Sequence, residues 1–454
     1  PFPIDYIDYA LDLISVSNYE IQDMLAQSVI DRVQKEPDYH VTLICNLFDL
    51  YDKYLPKTRM DDKRAPELNL ARRGFSRVLL LSSSLQHDEI ILSDVFDFIL
   101  DQALNDEVRE IQDNYVEAGV EIIKAHGKQF ADHLLTLFKE GLETSKKVSV
   151  RQGLIVFMGS VAENLPVDGR VIEIVDLLIE TLKDSPDSVQ YSIGGCLENI
   201  LPNISSETER LVETSMSMCL NGQKPTERRG GAHALSGLVS SLGYQSLKNY
   251  NILPRIVDAL NSDQYTQKQG ALMAIEKISQ KLGSFFEPFI VKLLNQLLAS
   301  FGDDKGSVRN AARKAAKSIM GNLTNRATKV VVKELIVALK DPNWRTKCGS
   351  IELLSSMAYC SPDQLSSCLP LIVPQLTKTL TSTHAKVQES SREALNAIGS
   401  VIKNPEIQVH IPLLLDALYD PLKNTKKALD ALLHTQYVHH IDSASLSLIM
   451  PLCL

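Results

Sequence analysis

The side chains best placed to do chemistry in this 454-residue chain are cations. Between Lys305 and Lys340 the sequence carries Lys305, Arg309, Arg313, Lys314, Lys317, Arg326, Lys329, Lys333 and Lys340, opposed by Glu334 alone. Arg309, Arg313 and Lys317 recur at four-residue intervals, so a helix places them in one stripe, with Val308, Ala311, Ala312, Ala315 and Ile319 on the opposing side. A row of cations above an apolar face suits a phosphate backbone, and binding of that kind weakens with salt by a slope of roughly −0.7 to −0.9 per neutralised phosphate. The competing reading is a solvated basic face. A smaller group, Lys224, Arg228 and Arg229, presents the same choice.

Catalytic and ligand-holding constellations are missing from the sequence. Gly127-Lys128 is followed by Gln129, without the glycine spacing of a phosphate-cradling loop. Leu235-Ser236-Gly237 opens like an ATP-binding-cassette signature, but Leu238-Val239 follows and the segment has helical period. His434, His439 and His440 lack carboxylate partners at ligand spacing. The seven cysteines are scattered and odd in number, with no C-x2-C pair, which argues against a disulfide framework or zinc and for a reducing compartment. No apolar run approaches the roughly 18 residues of a membrane span. The expectation is a non-enzyme with no catalytic residue, cofactor, metal, small-molecule substrate or membrane partner.

The net charge of −9 is unevenly distributed. Residues 1–127 hold 24 Asp and Glu against 12 Lys and Arg, so the remainder is slightly basic. A uniformly basic nucleic-acid binder is thereby excluded; local basic faces are not.

The elements that position these cations follow a repeat. The residues opening each second helix are Arg72, Arg109, Arg151, Gln190, Arg228, Lys268, Arg309, Lys347, Gln388 and Lys426, at intervals of 37 to 42 residues. Two helical stretches per period of about 40 residues are the mark of HEAT or armadillo arrays. Two positions further on, most copies carry a small residue: Gly74, Gly153, Ser192, Gly230, Gly270, Ala311, Gly349 and Ser390. Glycine inside a helix costs roughly 1 kcal/mol against alanine, so its recurrence implies close helix approach. First helices are expected over segments such as 95–104, 171–182, 289–301 and 330–339, and an earlier helix over 18–33 with Ile21, Leu25, Val29 and Val33 inward. The charged stretch Pro56–Pro66 reads as a loop. A turn Asp and the residue six positions later are expected to form a ladder between repeats: Asp184 with Gln190, Asp303 with Arg309, Asp341 with Lys347, and Asp420 with Lys426.

The predicted fold is all-α, an α-solenoid of about ten to eleven HEAT repeats in a right-handed superhelical stack. Residues 1–67 form acidic N-terminal repeats and residues 68–454 the regular array, in a chain expected to be a fragment of a longer protein.

Specific motifs add a resemblance. Lys224-Pro225-Thr226-Glu227-Arg228-Arg229-Gly230-Gly231-Ala232, and Trp344-Arg345-Thr346-Lys347-Cys348-Gly349-Ser350-Ile351-Glu352-Leu353-Leu354 with its continuation through Gln364 to Pro370, resemble the HEAT region shared by fungal elongation factor three and the giant translational activator of general amino-acid control. The close match covers 224–451. The continuation through His439-His440-Ile441-Asp442 toward another repeat, rather than into ATP-binding cassettes, is more similar to the activator. That resemblance implies a cytoplasmic scaffold that binds the ribosome, through rRNA or ribosomal proteins, and works with an ATP-binding-cassette co-activator. It further implies promotion of the general-control kinase acting on the alpha subunit of initiation factor two, with kinase contact outside this segment. The sequence leaves two rivals: a peptide-gripping nuclear transport receptor or phosphatase scaffold, and the HEAT part of an elongation-factor-three ATPase.

Overall fold

The computed structural model describes residues 5–56, 65–165, 169–360 and 362–453, and every regular element among them is helical. Lys57, Arg59, Asp61, Asp62, Lys63 and Arg64 of the expected charged loop lie outside the described residues. The chain divides into two compact units, Pro1–Thr208 and Glu209–Leu454.

The first unit contains α1 (Asp5–Val16), α2 (Tyr19–Lys35), α3 (His40–Lys53), α4 (Ala65–Leu81), α5 (Glu89–Asp101), α6 (Arg109–His126), α7 (Ala131–Thr144), α8 (Val148–Asn164), α9 (Gly169–Leu182) and α10 (Asp187–Ile200). Helix α9 shows why these segments fold as they do: Val171, Ile174, Val175, Leu178, Ile179 and Leu182 recur at three- and four-residue steps, and all are buried. Burying each such side chain stabilises the unit by about 1.5–3 kcal/mol. The second helices α4, α6, α8 and α10 pack successively on one another. Helix α8 is accordingly buried over much of its circumference, from Val150 through Ala162. Between first and second helices, Phe96, Phe138 and Phe157 meet with ring centroids 5.1 to 5.5 Å apart.

The second unit runs through α11 (Thr208–Asn221), α12 (Pro225–Leu242), α13 (Ser246–Asn249), α14 (Ile252–Leu260), α15 (Tyr265–Leu282), α16 (Glu287–Phe301), α17 (Gly306–Gly321), α18 (Asn325–Ala338) and α19 (Trp344–Cys360). It continues with α20 (Pro362–Ser366), α21 (Leu369–Thr379), α22 (Ala385–Gly399), α23 (Pro405–Gln408), α24 (Ile411–Tyr419), α25 (Pro421–Leu433) and α26 (Ser443–Cys453). Here α12, α15, α17, α19 and α22 form the successive contacts between second helices. The recurring small residue has the anticipated role: a Cβ at Gly349 would lie 2.5 Å from Phe301 Cγ, and one at Gly74, in the first unit, 2.5 Å from Ile14 Cγ2. Helices α12 and α15 end at Gly243 (φ 78°) and Gly283 (φ 54°), a backbone that side-chain-bearing residues rarely adopt.

Two sequence-based expectations need correction. Helix α2 starts one residue after its cap, Asn18, whose Oδ1 accepts from Ile21 N at 3.1 Å; Val29 and Val33 of the expected stripe are buried, but its first half departs from it, with Leu25 only half-buried. Ile21 is exposed, whereas Gln22 is buried because its Nε2 donates to the carbonyls of Ile14 (3.0 Å) and Leu70 (2.8 Å). First helices also begin earlier than their apolar residues suggested: α5 starts at Glu89, where the Asp88 carboxylate accepts from Ile91 N at 2.9 Å.

Candidate cationic interface

Helix α17 holds the stripe. Val308, Ala311, Ala312, Ala315 and Ile319 are buried, which turns Arg313, Lys314 and Lys317 outward; Arg309 is half-buried. Each cation meets a different fate. Arg309 Nη1 donates to the carbonyls of Asp303 (2.7 Å) and Asp304 (2.9 Å), closing the turn ahead of its own helix. Arg313 Nε lies 2.8 Å from Glu352 Oε2 on α19, an exposed pair of the kind worth only about 0.2–1 kcal/mol and therefore open to exchange for a phosphate. Lys305 Nζ sits 5.6 Å from the Tyr265 ring centroid. Lys314 and Lys317 make no ion pair among the described residues, and both are exposed. Arg326, Lys329 and Lys333 on α18, and Lys340 just beyond it, are exposed as well.

Next to the stripe, α17, α19 and α22 enclose a cleft of about 430 Å³. Trp344, the one tryptophan of the chain, stacks on His384 (centroids 4.1 Å apart, planes 13° apart) with the Arg345 guanidinium 4.8 Å from its ring. Arg309, Arg313, Arg345 and Lys386 line the cleft together with Glu352, Glu389 and Glu393, so its charge is mixed. The unbalanced cations lie outside it, at Lys314 and Lys317 and along α18.

The smaller basic group separates. Arg228 is 2% exposed, and its guanidinium donates to Gly222 O (2.7 Å), Gln223 O (3.0 Å) and Gln269 Oε1 (2.6 Å). Arg228 therefore leaves the surface set: it closes a turn and joins α12 to α15. Lys224 is exposed and Arg229 half-buried.

The six-residue spacing has a physical basis different from the one expected. It joins the later side chain to the turn's backbone carbonyl: Arg309 to Asp303, Arg228 to Gly222, Gln112 to Asp106 (2.6 Å) and Gln388 to Ser382 (2.7 Å). The Asp303 carboxylate instead reaches back one repeat to Lys268 Nζ, at 3.0 Å. Gln190 Nε2 donates to Leu182 O (2.7 Å), two residues before Asp184. Asp341 Oδ1 accepts from Asn343 N (2.7 Å), and Asn343 Nδ2 donates across the repeat to Gly302 O (3.3 Å); Lys347 is half-buried beside this turn. Asp420 pairs with Lys423 at 3.0 Å, leaving Lys426 exposed. The most deeply buried rung was not anticipated from the sequence. Arg72 Nε lies 3.1 Å from Asp106 Oδ2, both side chains 1% exposed, and Tyr51 donates its hydroxyl to the same oxygen at 2.6 Å. Its signal was present in Asp106-x5-Gln112, the same spacing as the other turns.

The C-terminal histidines do not converge. His439 Nδ1 lies 2.7 Å from Glu406 Oε1, a hydrogen bond that holds the Glu406 carboxyl down to about 2, and His434 Nδ1 faces Asp430 O at 2.7 Å. Among the described residues no three His, Cys, Asp or Glu side chains are placed to hold a metal ion. No helix among them is long and apolar enough to cross a membrane.

Paired helices stacked through small residues, with turns closed by a side chain at fixed spacing and a row of cations facing out, define a HEAT-repeat scaffold. Comparison with known proteins specifies which. Residues 2–163 match the family model described as stalled ribosome sensor GCN1, HEAT repeats, and residues 228–395 the model described as EF3 N-terminal HEAT repeat. The chain is 37% identical over 459 residues to the eIF-2-alpha kinase activator GCN1 of Dictyostelium discoideum, covering 99% of this chain and 17% of that protein. It is 41% identical over 401 residues to the stalled ribosome sensor GCN1 of Homo sapiens, covering 87% and 15%. Elongation factor 3 of Mycosarcoma maydis is 29% identical over 228 residues, covering 49% and 21%. The chain belongs to the GCN1 family of HEAT-repeat proteins and includes its elongation-factor-three-like repeats. It spans 15–17% of the length of these two GCN1 relatives.

Proposed function

We propose that this chain is a non-enzymatic, cytoplasmic ribosome-binding scaffold whose cationic stretch on α17 and α18 meets rRNA or ribosomal protein. In this reading it helps activate the general-control kinase on starved or stalled ribosomes, together with an ATP-binding-cassette co-activator. The kinase itself engages segments outside this chain. Residues 1–67 serve as acidic N-terminal repeats and 68–454 as the regular array, with 224–451 the elongation-factor-three-like part. The observation that carries the proposal is the set of exposed cations Lys314, Lys317, Arg326, Lys329 and Lys333 within the stretch related to elongation factor three.

The test is ribosome co-sedimentation of the Arg313→Glu/Lys314→Glu/Lys317→Glu variant against the wild type over a salt series. These side chains are exposed, so circular dichroism should be unchanged. Binding should fall, and the slope of log affinity against log salt should flatten by roughly 0.7–0.9 for each phosphate no longer neutralised. Equal binding by the variant at low and high salt would remove the stripe from the interface.

A further inference from the structure

A second surface of distinct character lies within the first unit, between α3 and α5, the first helices of neighbouring repeats. Its floor is apolar: Phe48 stacks on Phe98 with centroids 4.1 Å and planes 14° apart, above buried Ile44 and Ile91. Val41 stands at its edge, 56% exposed, and Ile90, 73% exposed, continues the apolar surface one turn along α5. The groove encloses about 300 Å³. Along one side Asp94, Asp97 and Asp101 project from a single stripe of α5, all exposed. None of the three carboxylates makes an ion pair among the described residues. Partial burial, with Asp101 and Asp94 beside it, raises the Asp97 carboxyl above its ordinary value although His133 acts in the opposite direction, as expected where like charges are crowded.

We propose that this groove docks a lysine- or arginine-rich segment of a partner protein, with one aliphatic or aromatic side chain seated on Phe48 and Phe98 and cations against Asp94, Asp97 and Asp101. Charge complementarity selects the occupant. The aspartates repel nucleic acid and acidic peptides, and they sit in a stretch, residues 1–127, with 24 acidic residues against 12 basic ones, which attracts cations over a distance. Seven residues of helix separate the outer two aspartates, about 10 Å, too far apart to share one ion but matched to successive cations of a polypeptide. The apolar floor requires more than charge, since a solvated polycation would leave Val41 and Phe48 uncovered. Such a groove, with an apolar anchor site and a polar rim, follows the usual build of a peptide site. This proposal goes beyond ribosome binding through α17 and does not depend on it.

The groove contains its own reporter. Cys45 lies in its lining and is exposed; Cys453, in the other unit, is also exposed and serves as an internal reference. The probes are a short Lys/Arg peptide with a central Leu-Trp pair, a charge-matched peptide with Ser-Ser instead, and spermine. Binding is read by fluorescence anisotropy on the wild type, Val41→Ser and the Asp94→Asn/Asp97→Asn/Asp101→Asn variant, all altered at exposed positions. The Leu-Trp peptide should bind about tenfold more tightly than its serine counterpart, and affinity should drop about tenfold in the triple variant, the size expected of three exposed charge contacts. Val41→Ser should shrink the preference for Leu-Trp. The bound peptide should slow iodoacetamide alkylation of Cys45 and leave Cys453 unaffected. Equal affinity for the two peptides, wild-type affinity in the triple variant, an unchanged Cys45 rate, or equal protection by spermine would each overturn the proposal.

Discussion

Replacing Arg72 by Met tests whether the rungs between repeats hold the array together. Met keeps much of the apolar stem and removes the guanidinium. Asp106 then stays 1% exposed with its charge, deprived of Arg72 Nε (3.1 Å) and Nη2 (3.3 Å). Two neutral donors remain, the Tyr51 hydroxyl at 2.6 Å and Val108 N at 2.9 Å. Arg72 also donates to Asn69 Oδ1 (2.8 Å) and Tyr54 O (3.3 Å), and the substitution takes this donor from both. Removing one member of a buried ion pair costs about 3–5 kcal/mol, and the surviving donors place this case near 3 kcal/mol. Repeat arrays unfold locally, so one global melting curve does not isolate the effect. Amide hydrogen exchange does: protection in α4 and α6 should fall about a hundredfold, while α12 to α22 stay unchanged. Adding Asp106→Asn removes the stranded charge and keeps an acceptor for Tyr51, so the double variant should regain roughly half of that protection. A decrease below about threefold in Arg72→Met, the level of an ordinary surface pair, would contradict the rung as a tie between repeats. So would a double variant less protected than the single one.

Further outcomes follow from burial and close approach. The rings of His40, His87 and His126 lie in a row along the repeats, 4.7 and 4.8 Å apart. Burial, reinforced by His40, pushes His87 down to about 3, and burial also lowers His40. The unfolded chain therefore takes up these protons first. The contribution of these two histidines to the stability of the first unit is complete above about pH 6.5 and is lost as pH falls, by at most about 1.4 kcal/mol per pH unit for each histidine. Exchange protection of α3 and α6 measured at pH 7 and pH 5 should show the decline, and His87→Leu should reduce it; pH-independent protection in the wild type would contradict this account. In the second unit, a Cβ at Gly270 falls on the carbonyl oxygen of Cys219, a backbone atom that cannot rotate away. Gly270→Ala should destabilise α11 and α15 by about 1–3 kcal/mol in the same measurement, despite alanine's higher helix propensity. Gly195→Ala, whose Cβ meets open space, should instead stabilise α10 by about 0.5–1 kcal/mol.

The repeat and its two-helix unit were legible in the sequence because a helix that buries one face must repeat its apolar residues every three or four positions, as α9 does. The small-residue position was legible for a related reason: glycine inside a helix is costly, and Gly349 against Phe301 shows what offsets the cost. The apolar face of α17 was likewise anticipated residue by residue. Less visible was the inward face of the first turns of α2, because a buried glutamine satisfied by two carbonyls is indistinguishable in sequence from an exposed one.

The amino-acid order thus set the helical class, the period and the register of cations along α17. Which of those cations remain available was decided by tertiary structure. Arg228 and Arg309 stand in the first turn of their helices, and Arg313 and Lys317 follow Arg309 at four-residue steps along α17. Arg309 closes its own turn, a local contact, whereas stacking of the repeats gives Arg228 its partner Gln269 and Arg313 its partner Glu352, and leaves Lys317 to solvent. Gln269 lies 41 residues from Arg228 in the chain, and Glu352 lies 39 residues from Arg313. Local sequence sets where a side chain points on its own helix, but the energy of a charge depends on what surrounds it, and in a repeat array those surroundings come from the next repeat.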